Sequence, residues 1–283
     1  MGQQIHWFPG HMNKALNEVE NKVKLVDVVI ELFDARAPLS SINENLGKIT
    51  KNKKKLIVLT KIDLADPEQT QKWQAFLNQK YDAVLSLDLK NNNAESLLSK
   101  AVVSLGKDKW AKEIARGMKP QPIRTMIVGI PNVGKSSLIN RLAKRKAAGV
   151  QNKPGFTRGE QWIKVNKDFL LLDTPGILPM SYENPKNAAN LALIGAIRED
   201  ILPNDKLGEI LIDYLKSHYP KALKQRFDIE EITDRMTVLN QISNRRKLVN
   251  NVGENDLIRA EALLLKEFKD GLLGRITLEW YES

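Results

Sequence analysis

The run Gly129-Ile130-Pro131-Asn132-Val133-Gly134-Lys135-Ser136 matches G-x-x-x-x-G-K-[ST]. Such a run does chemistry because a glycine-rich turn that opens a helix aims several backbone N–H groups at one anion. Here the N–H groups of Asn132, Val133, Gly134, Lys135, Ser136 and Ser137 are expected to cradle nucleotide phosphates. Lys135 is expected to reach the β- and γ-phosphates, and the Ser136 hydroxyl to take a place on Mg2+. The plain alternative is a glycine-rich turn with an incidental lysine.

Asp173-Thr174-Pro175-Gly176 is the second signal. An aspartate leaving an apolar run can hold the Mg2+ shell, and the Gly176 N–H can meet a γ-phosphate. Alone, D-x-x-G is usually a turn; about forty residues after a phosphate loop it means more. Between the two lies Pro154-Gly155-Phe156-Thr157, where Thr157 is a second hydroxyl ligand for Mg2+ or a plain loop threonine. Upstream stands Thr60-Lys61-Ile62-Asp63. A carboxylate at Asp63 can accept from guanine N1–H and N2–H2, a donor pair that adenine lacks. By itself this is a solvated loop. The stretch Ser86-Leu87-Asp88-Leu89-Lys90 lies where a base-supporting loop would follow, with Asp88 and Leu89 against the base.

These residues need elements to place them. Apolar runs at 26–33, 56–59, 83–87, 126–128 and 169–172, with a more alternating 161–165, read as strands covered on both faces. Helical patterns at 13–24, 67–79, 94–109 and 135–143 lie between them. The alternation predicts a doubly wound, mostly parallel α/β sheet over residues 1–183. After that the pattern changes to helices at 186–201, 206–218, 230–250 and 256–269, with a possible strand at 275–280. Residues 184–283 are therefore expected to form a separate all-α C-terminal domain.

The 283 residues carry a formal net charge of +10, and 42% are hydrophobic, too many for a disordered chain. The charge is uneven. Residues 184–283 hold 15 basic and 16 acidic side chains, so the excess sits in the first part. It concentrates at 100–124 and at 135–158, the latter with no acid at all. This is either a solvated face or a surface for nucleic-acid phosphates. The lack of cysteine excludes disulfides and thiolate chemistry and suits a reducing cytoplasm. No apolar run reaches membrane-spanning length, the N-terminus predicts no secretory signal, and His6 breaks the myristoylation pattern.

Together these motifs resemble those of translation-factor-like GTPases, but their order is rotated. The base-recognition segments 60–63 and 86–90 precede the phosphate loop, Thr157 and Asp173–Gly176, which is a circular permutation. With Trp7-Phe8-Pro9-Gly10-His11-Met12, Asp34-Ala35-Arg36 and the helical C-terminal part, the whole chain resembles the ribosome biogenesis GTPase A family. The resemblance implies binding of GTP and GDP, and association with a late precursor of the large ribosomal subunit, both rRNA and ribosomal proteins. It also implies rRNA contact by the helical domain. The net charge of that part lends this no support, although Arg245-Arg246-Lys247 is a local basic cluster. A chain that is monomeric when free is expected. Two departures stand out: Thr60 where asparagine is commoner, and Leu89 where a small residue is usual.

Ile177 follows Gly176, where many switch GTPases carry a water-orienting glutamine, so slow intrinsic hydrolysis is expected. On the residues alone His11 is first a turn residue before a helix. The resemblance nominates it as the group that orients the attacking water. No arginine finger is evident in cis, and Asn132 occupies a position where related GTPases bind K+. The leading expectation is an assembly GTPase stimulated by the subunit. A second is an RNA-binding scaffold whose affinity GTP tunes, with hydrolysis incidental. A third, an ATP-dependent enzyme, is disfavoured by Asp63.

Overall fold

The computed structural model describes residues 5–6, 9–91, 93–144, 162–172, 174, 177, 181–182, 184–197, 202–229 and 231–282. In chain order the first elements are β1 (Ile5–His6), α1 (Pro9–Val23), β2 (Val28–Asp34), α2 (Glu44–Ile49), β3 (Lys54–Thr60), α3 (Pro67–Asn78) and β4 (Ala83–Ser86). Then come α4 (Ala94–Ala115), β5 (Ile123–Gly129), α5 (Lys135–Lys144), β6 (Trp162–Lys164), β7 (Phe169–Leu172) and β8 (Ser181–Tyr182). The helices α6 (Pro185–Leu193), α7 (Asn204–His218), α8 (Pro220–Phe227), α9 (Arg235–Arg246) and α10 (Leu257–Lys269) follow.

Six strands form one sheet in the order β4-β3-β2-β5-β7-β6, parallel except for β6. The apolar runs explain the burial. Val28, Ile30, Leu32, Leu56, Val58 and Ile127 share one core with Leu98 and Val102 of α4 and Leu138 of α5. On the other face Val29, Met126 and Val128 pack with Val19 and Val23 of α1, and Phe33, Ile57 and Leu59 with Leu77 of α3. The sheet is thus covered twice, as continuous hydrophobic strands require.

Parallel pairing aligns the strand ends. Asp34 faces Thr60 across β2 and β3, and Leu32 faces Gly129 across β2 and β5. The base motif and the phosphate loop therefore leave the same edge, although 66 residues of chain separate Asp63 from Gly129. The permuted connection is α4, which crosses from β4 to β5. It lies against the sheet at Gly106, where a Cβ would fall 2.1 Å from Ile123 Cδ1.

Within the helical pattern at 186–201, of which 198–201 lie outside the described residues, α6 ends at Leu193. Gly195, at φ 75°, takes the left-handed position after it, and Ala196 N–H bonds Leu191 O while Gly195 N–H bonds Ala192 O. The helix expected at 230–250 is confined to α9, whose N-cap is Asp234 and whose end is Lys247 at φ 54°. The helix expected at 206–218 does end at His218, and Pro220 directly opens a further helix, α8, because proline fits the first helical turn. The possible strand at 275–280 is not one. The segment is a strap: Ile276 N–H bonds Leu64 O and Leu278 N–H bonds Arg36 O, which ties the chain's end to the sheet loops. The short α2 and the β1–β8 pair were not legible in the pattern. No helix among the described residues is long and apolar enough to cross a membrane.

Candidate nucleotide site

The loop after β5 owes its shape to three residues with positive φ: Gly129 at 152°, Asn132 at 56° and Gly134 at 109°. A Cβ on Gly129 would meet Leu32 O at 2.8 Å, so the close pairing with β2 demands glycine there. α5 begins at Lys135 with no acidic residue in its first turn, which leaves the positive end of the helix dipole open to an anion. The buried Lys135 ammonium donates to Gly129 O at 3.1 Å and Ile130 O at 2.9 Å, folded across the loop. Ser136 and Ser137 are exposed at the same helix start.

Thr60 joins the two motifs directly. Its buried hydroxyl lies 2.6 Å from Val133 O and 3.1 Å from Phe33 O. Threonine in place of asparagine thus still provides a donor to the phosphate loop. Lys61 sits at φ 55°, with Nζ 3.1 Å from Asp34 Oδ2. Asp63 Oδ2 accepts from Lys90 Nζ at 2.6 Å, and Asp88 Oδ1 accepts from Lys90 N–H at 2.8 Å. The two base segments therefore face each other. Leu89 lies against the phosphate loop, with Cδ1 3.2 Å from where a Cβ on Gly134 would be.

The sequence assigned no role to two contributors. Arg141, counted there only as basic charge, donates from α5 to Leu89 O and Asn91 O and so fixes the base loop to the phosphate-loop helix. Its spacing of six from Lys135 carried no signal. The second is Arg36, whose guanidinium grips Asp34 at 3.0 and 2.8 Å. Burial pushes the Asp34 carboxyl up, but Arg36 and Lys61 outweigh it and hold it below the ordinary aspartate range.

Asn132 is exposed and its Nδ2 donates to Gly195 O at 2.7 Å, at the end of α6. Ile177 is wholly buried with Val19, Val29 and Leu172, and its N–H bonds Gly129 O at 3.1 Å. It is a core residue beneath the loop, not a water ligand. Thr174, beside it, bonds Ile127 O. Thr157, Asp173 and Gly176 lie outside the described residues. His11 is the third residue of α1, and its side chain is outside the described part. β1 pairs with β8, so the chain just before His11 is tied to the chain just after residues 173–176.

The donor set suits a cation that shares its shell with a ligand. Among the described residues no cluster of three His, Cys, Asp or Glu side chains could hold a metal alone, and Mg2+ ordinarily completes its octahedron with phosphate and water. The exposed Ser136 hydroxyl fits that pattern. In the helical part, the basic cluster is partly neutralised: Arg245 lies 3.3 Å from Asp228 and Arg246 3.6 Å from Glu267.

The family described as 50S ribosome-binding GTPase matches residues 124–241. The chain is 41% identical over 280 residues to ribosome biogenesis GTPase A of Bacillus cereus, covering 99% of this chain and 95% of that one. To the protein of the same name from Bacillus pumilus it is 40% identical, covering 99% of both. It is 31% identical to mitochondrial ribosome-associated GTPase 1 of Mus musculus, over 96% of this chain and 89% of the other. Among solved structures, GDP-bound TM YlqF aligns with a TM-score of 0.65 at 25% identity, covering 94% of this chain and 100% of that one.

Proposed function

Because the chain belongs to the ribosome biogenesis GTPase A family, we propose that this GTPase binds a precursor of the large ribosomal subunit and leaves it after hydrolysing GTP. The observation that supports this best is the bond from Thr60 to Val133 O, which couples the guanine motif to the phosphate loop across the permuted chain order.

Guanine is read by Asp63, with Lys61, Asp88 and the Leu89 N–H around the ring. The phosphates lie on the N–H groups from Asn132 to Ser137, with the Gly176 N–H at the γ-phosphate. Lys135 exchanges its loop carbonyls for β- and γ-oxygens, so its charge is delivered where charge develops. Mg2+, held by Ser136, Thr157 and Asp173, and K+ beside Asn132 Oδ1 supply further positive charge when bound. His11, next to the β1–β8 tie, orients the attacking water once the particle is engaged. Residues 1–183 form the GTPase unit and 184–283 the helical unit that contacts rRNA, and the setting is cytoplasmic.

The test is GTP turnover by the purified protein in potassium buffer, with and without large ribosomal subunits. Strong stimulation by the subunit with GTP and none with ATP is expected. Equal turnover with and without subunits favours the scaffold reading instead.

A further inference from the structure

The inward stripe of α4 changes character along its length. At 100° per residue, Ala94, Leu98, Val102 and Gly106 form one buried row against the sheet. Lys109, Lys112 and Arg116 continue the same side of the helix, past the ends of β2 and β3. There α4 overhangs the sheet and forms one wall of a cleft of about 470 Å3. The other wall is Val26–Val28 with Asn52, Lys53 and Lys54.

Both walls carry basic side chains, and two of the three acids that line the cleft are engaged, while the third, Asp108, is exposed on α4. Asp27 takes Lys109 Nζ at 3.0 Å and Arg124 N–H at 2.8 Å, and Glu113 accepts from Gln121 N–H at 2.8 Å. Lys54 is paired with Asp82. The cations Lys112 and Arg116, and their neighbours Lys51, Lys107 and Lys119, are exposed and have no ion-pair partner among the described residues. Ile114, 61% exposed, and Met118, 47% exposed, sit among them. Placing Lys112 and Arg116 at a helix C-terminus favours the dipole by roughly 0.3–1 kcal/mol each. On the facing wall Lys53 donates to Val26 O at 2.7 Å and Lys54 to Asp82 Oδ1 at 3.0 Å.

We propose that this cleft is a docking surface for the phosphate backbone of structured RNA. Five basic side chains on two walls of a groove, Lys53 and Lys54 facing Lys109, Lys112 and Arg116, with Lys112 and Arg116 outside any ion pair among the described residues, suit a polyphosphate, and ribose and base faces can cover Ile114 and Met118. The inference rests on the reading that the partner is a ribosomal particle, and adds where on the GTPase half its RNA lies. Parallel strands put the cleft at the edge opposite the nucleotide loops, about 20 Å away along β2, so RNA and GTP do not compete.

The experiment titrates the full-length protein against a labelled RNA hairpin of about 20 base pairs over a salt series, comparing it with the triple variant K112Q/R116Q/K119Q. The variant is expected to bind at least tenfold more weakly, with the slope of log K against log salt reduced by about 3. K72Q/K80Q/K266Q, on other faces, is expected to bind as the parent does. GDP affinity and basal GTP turnover stay unchanged. The single variant R116Q is expected to shift the slope by about 1 and guards against a folding defect in the triple. No binding of the hairpin by the parent, or equal binding by parent and triple variant, overturns the proposal. If hairpin binding is unchanged while binding to large subunits is lost, the cleft meets a protein, which also overturns it. The hairpin titration is independent of subunit-stimulated turnover, so failure of one reading does not mimic failure of the other.

Discussion

Arg36 lies bidentate on Asp34, two residues before it, and the same guanidinium reaches Ile194 O at 3.1 Å and Lys269 O at 3.4 Å. Both ions are buried. One arginine therefore neutralises the carboxylate that holds Lys61 of the base motif, and caps the C-terminal ends of α6 and α10. The nucleotide edge and the helical part share this joint.

Removing it should be severe. Arg36→Ala leaves the buried Asp34 with Lys61 and the N–H of residue 36 but without the paired guanidinium, a situation that costs about 3–5 kcal/mol. Arg36→Lys is expected to recover little, because an ammonium cannot make the paired contacts. Urea unfolding of the two variants against the parent checks this. A loss below about 1 kcal/mol for Arg36→Ala contradicts it.

Glu31 sets a pH dependence. It is buried in the middle of β2, and desolvation raises its carboxyl from 4.5 to about 7, against a smaller opposing pull from Lys55. A folded pKa above the unfolded one means that protons stabilise the fold. Stability is complete below about 4.5 and falls as pH rises through 7. The full span is about 3 kcal/mol. Asp34 acts in the opposite sense, losing stability only at acid pH below its unfolded value of 3.8. Glu31→Gln is expected to flatten the profile between pH 5 and 8, as read by denaturant midpoints across that range; an unaltered slope contradicts the assignment.

Thr60→Val keeps the shape of β3 but leaves Val133 O without its donor. A lost buried hydrogen bond of about 1–1.5 kcal/mol predicts close to a tenfold loss in nucleotide affinity. Titration with a fluorescent GDP analogue measures it. Thr60→Ser should stay near the parent, which separates the hydroxyl from mere packing.

His11→Ala tests the water-orienting role apart from binding. Subunit-stimulated turnover is expected to fall about 100-fold or more, with GDP affinity within twofold of the parent. Stopped turnover with unchanged binding to the subunit assigns the histidine to chemistry. Unchanged stimulated turnover returns it to the turn before α1.

The chemistry was readable from the linear chain wherever it depends on local backbone. The phosphate loop is a short turn of positive-φ positions between a strand and a helix, and its glycines announce it at Gly129 and Gly134. Continuous apolar runs likewise announce strands that must be covered twice, and rotated motif order announces the permutation, because closing a sheet depends on strand pairing and not on where the chain starts. Helix ends were less legible. Gly195 stops α6 through a cap that competes with a still-favourable apolar pattern, and α8, which Pro220 opens directly after α7, was not among the expected helices.

What no local pattern contains is partnership at a distance. Arg36 meets Ile194 O across 158 residues, Glu279 accepts from Ser40 N–H across 239, and Arg141 finds Leu89 O across 52. Each pair is made because burial removes water from a charged or polar group, and the group must then take whichever donor or acceptor the packed fold brings within reach. The same holds for the basic cleft. Its lysines and arginine are visible in the chain, but only the overhang of α4 beyond the sheet turns a helix stripe and a loop into two facing walls.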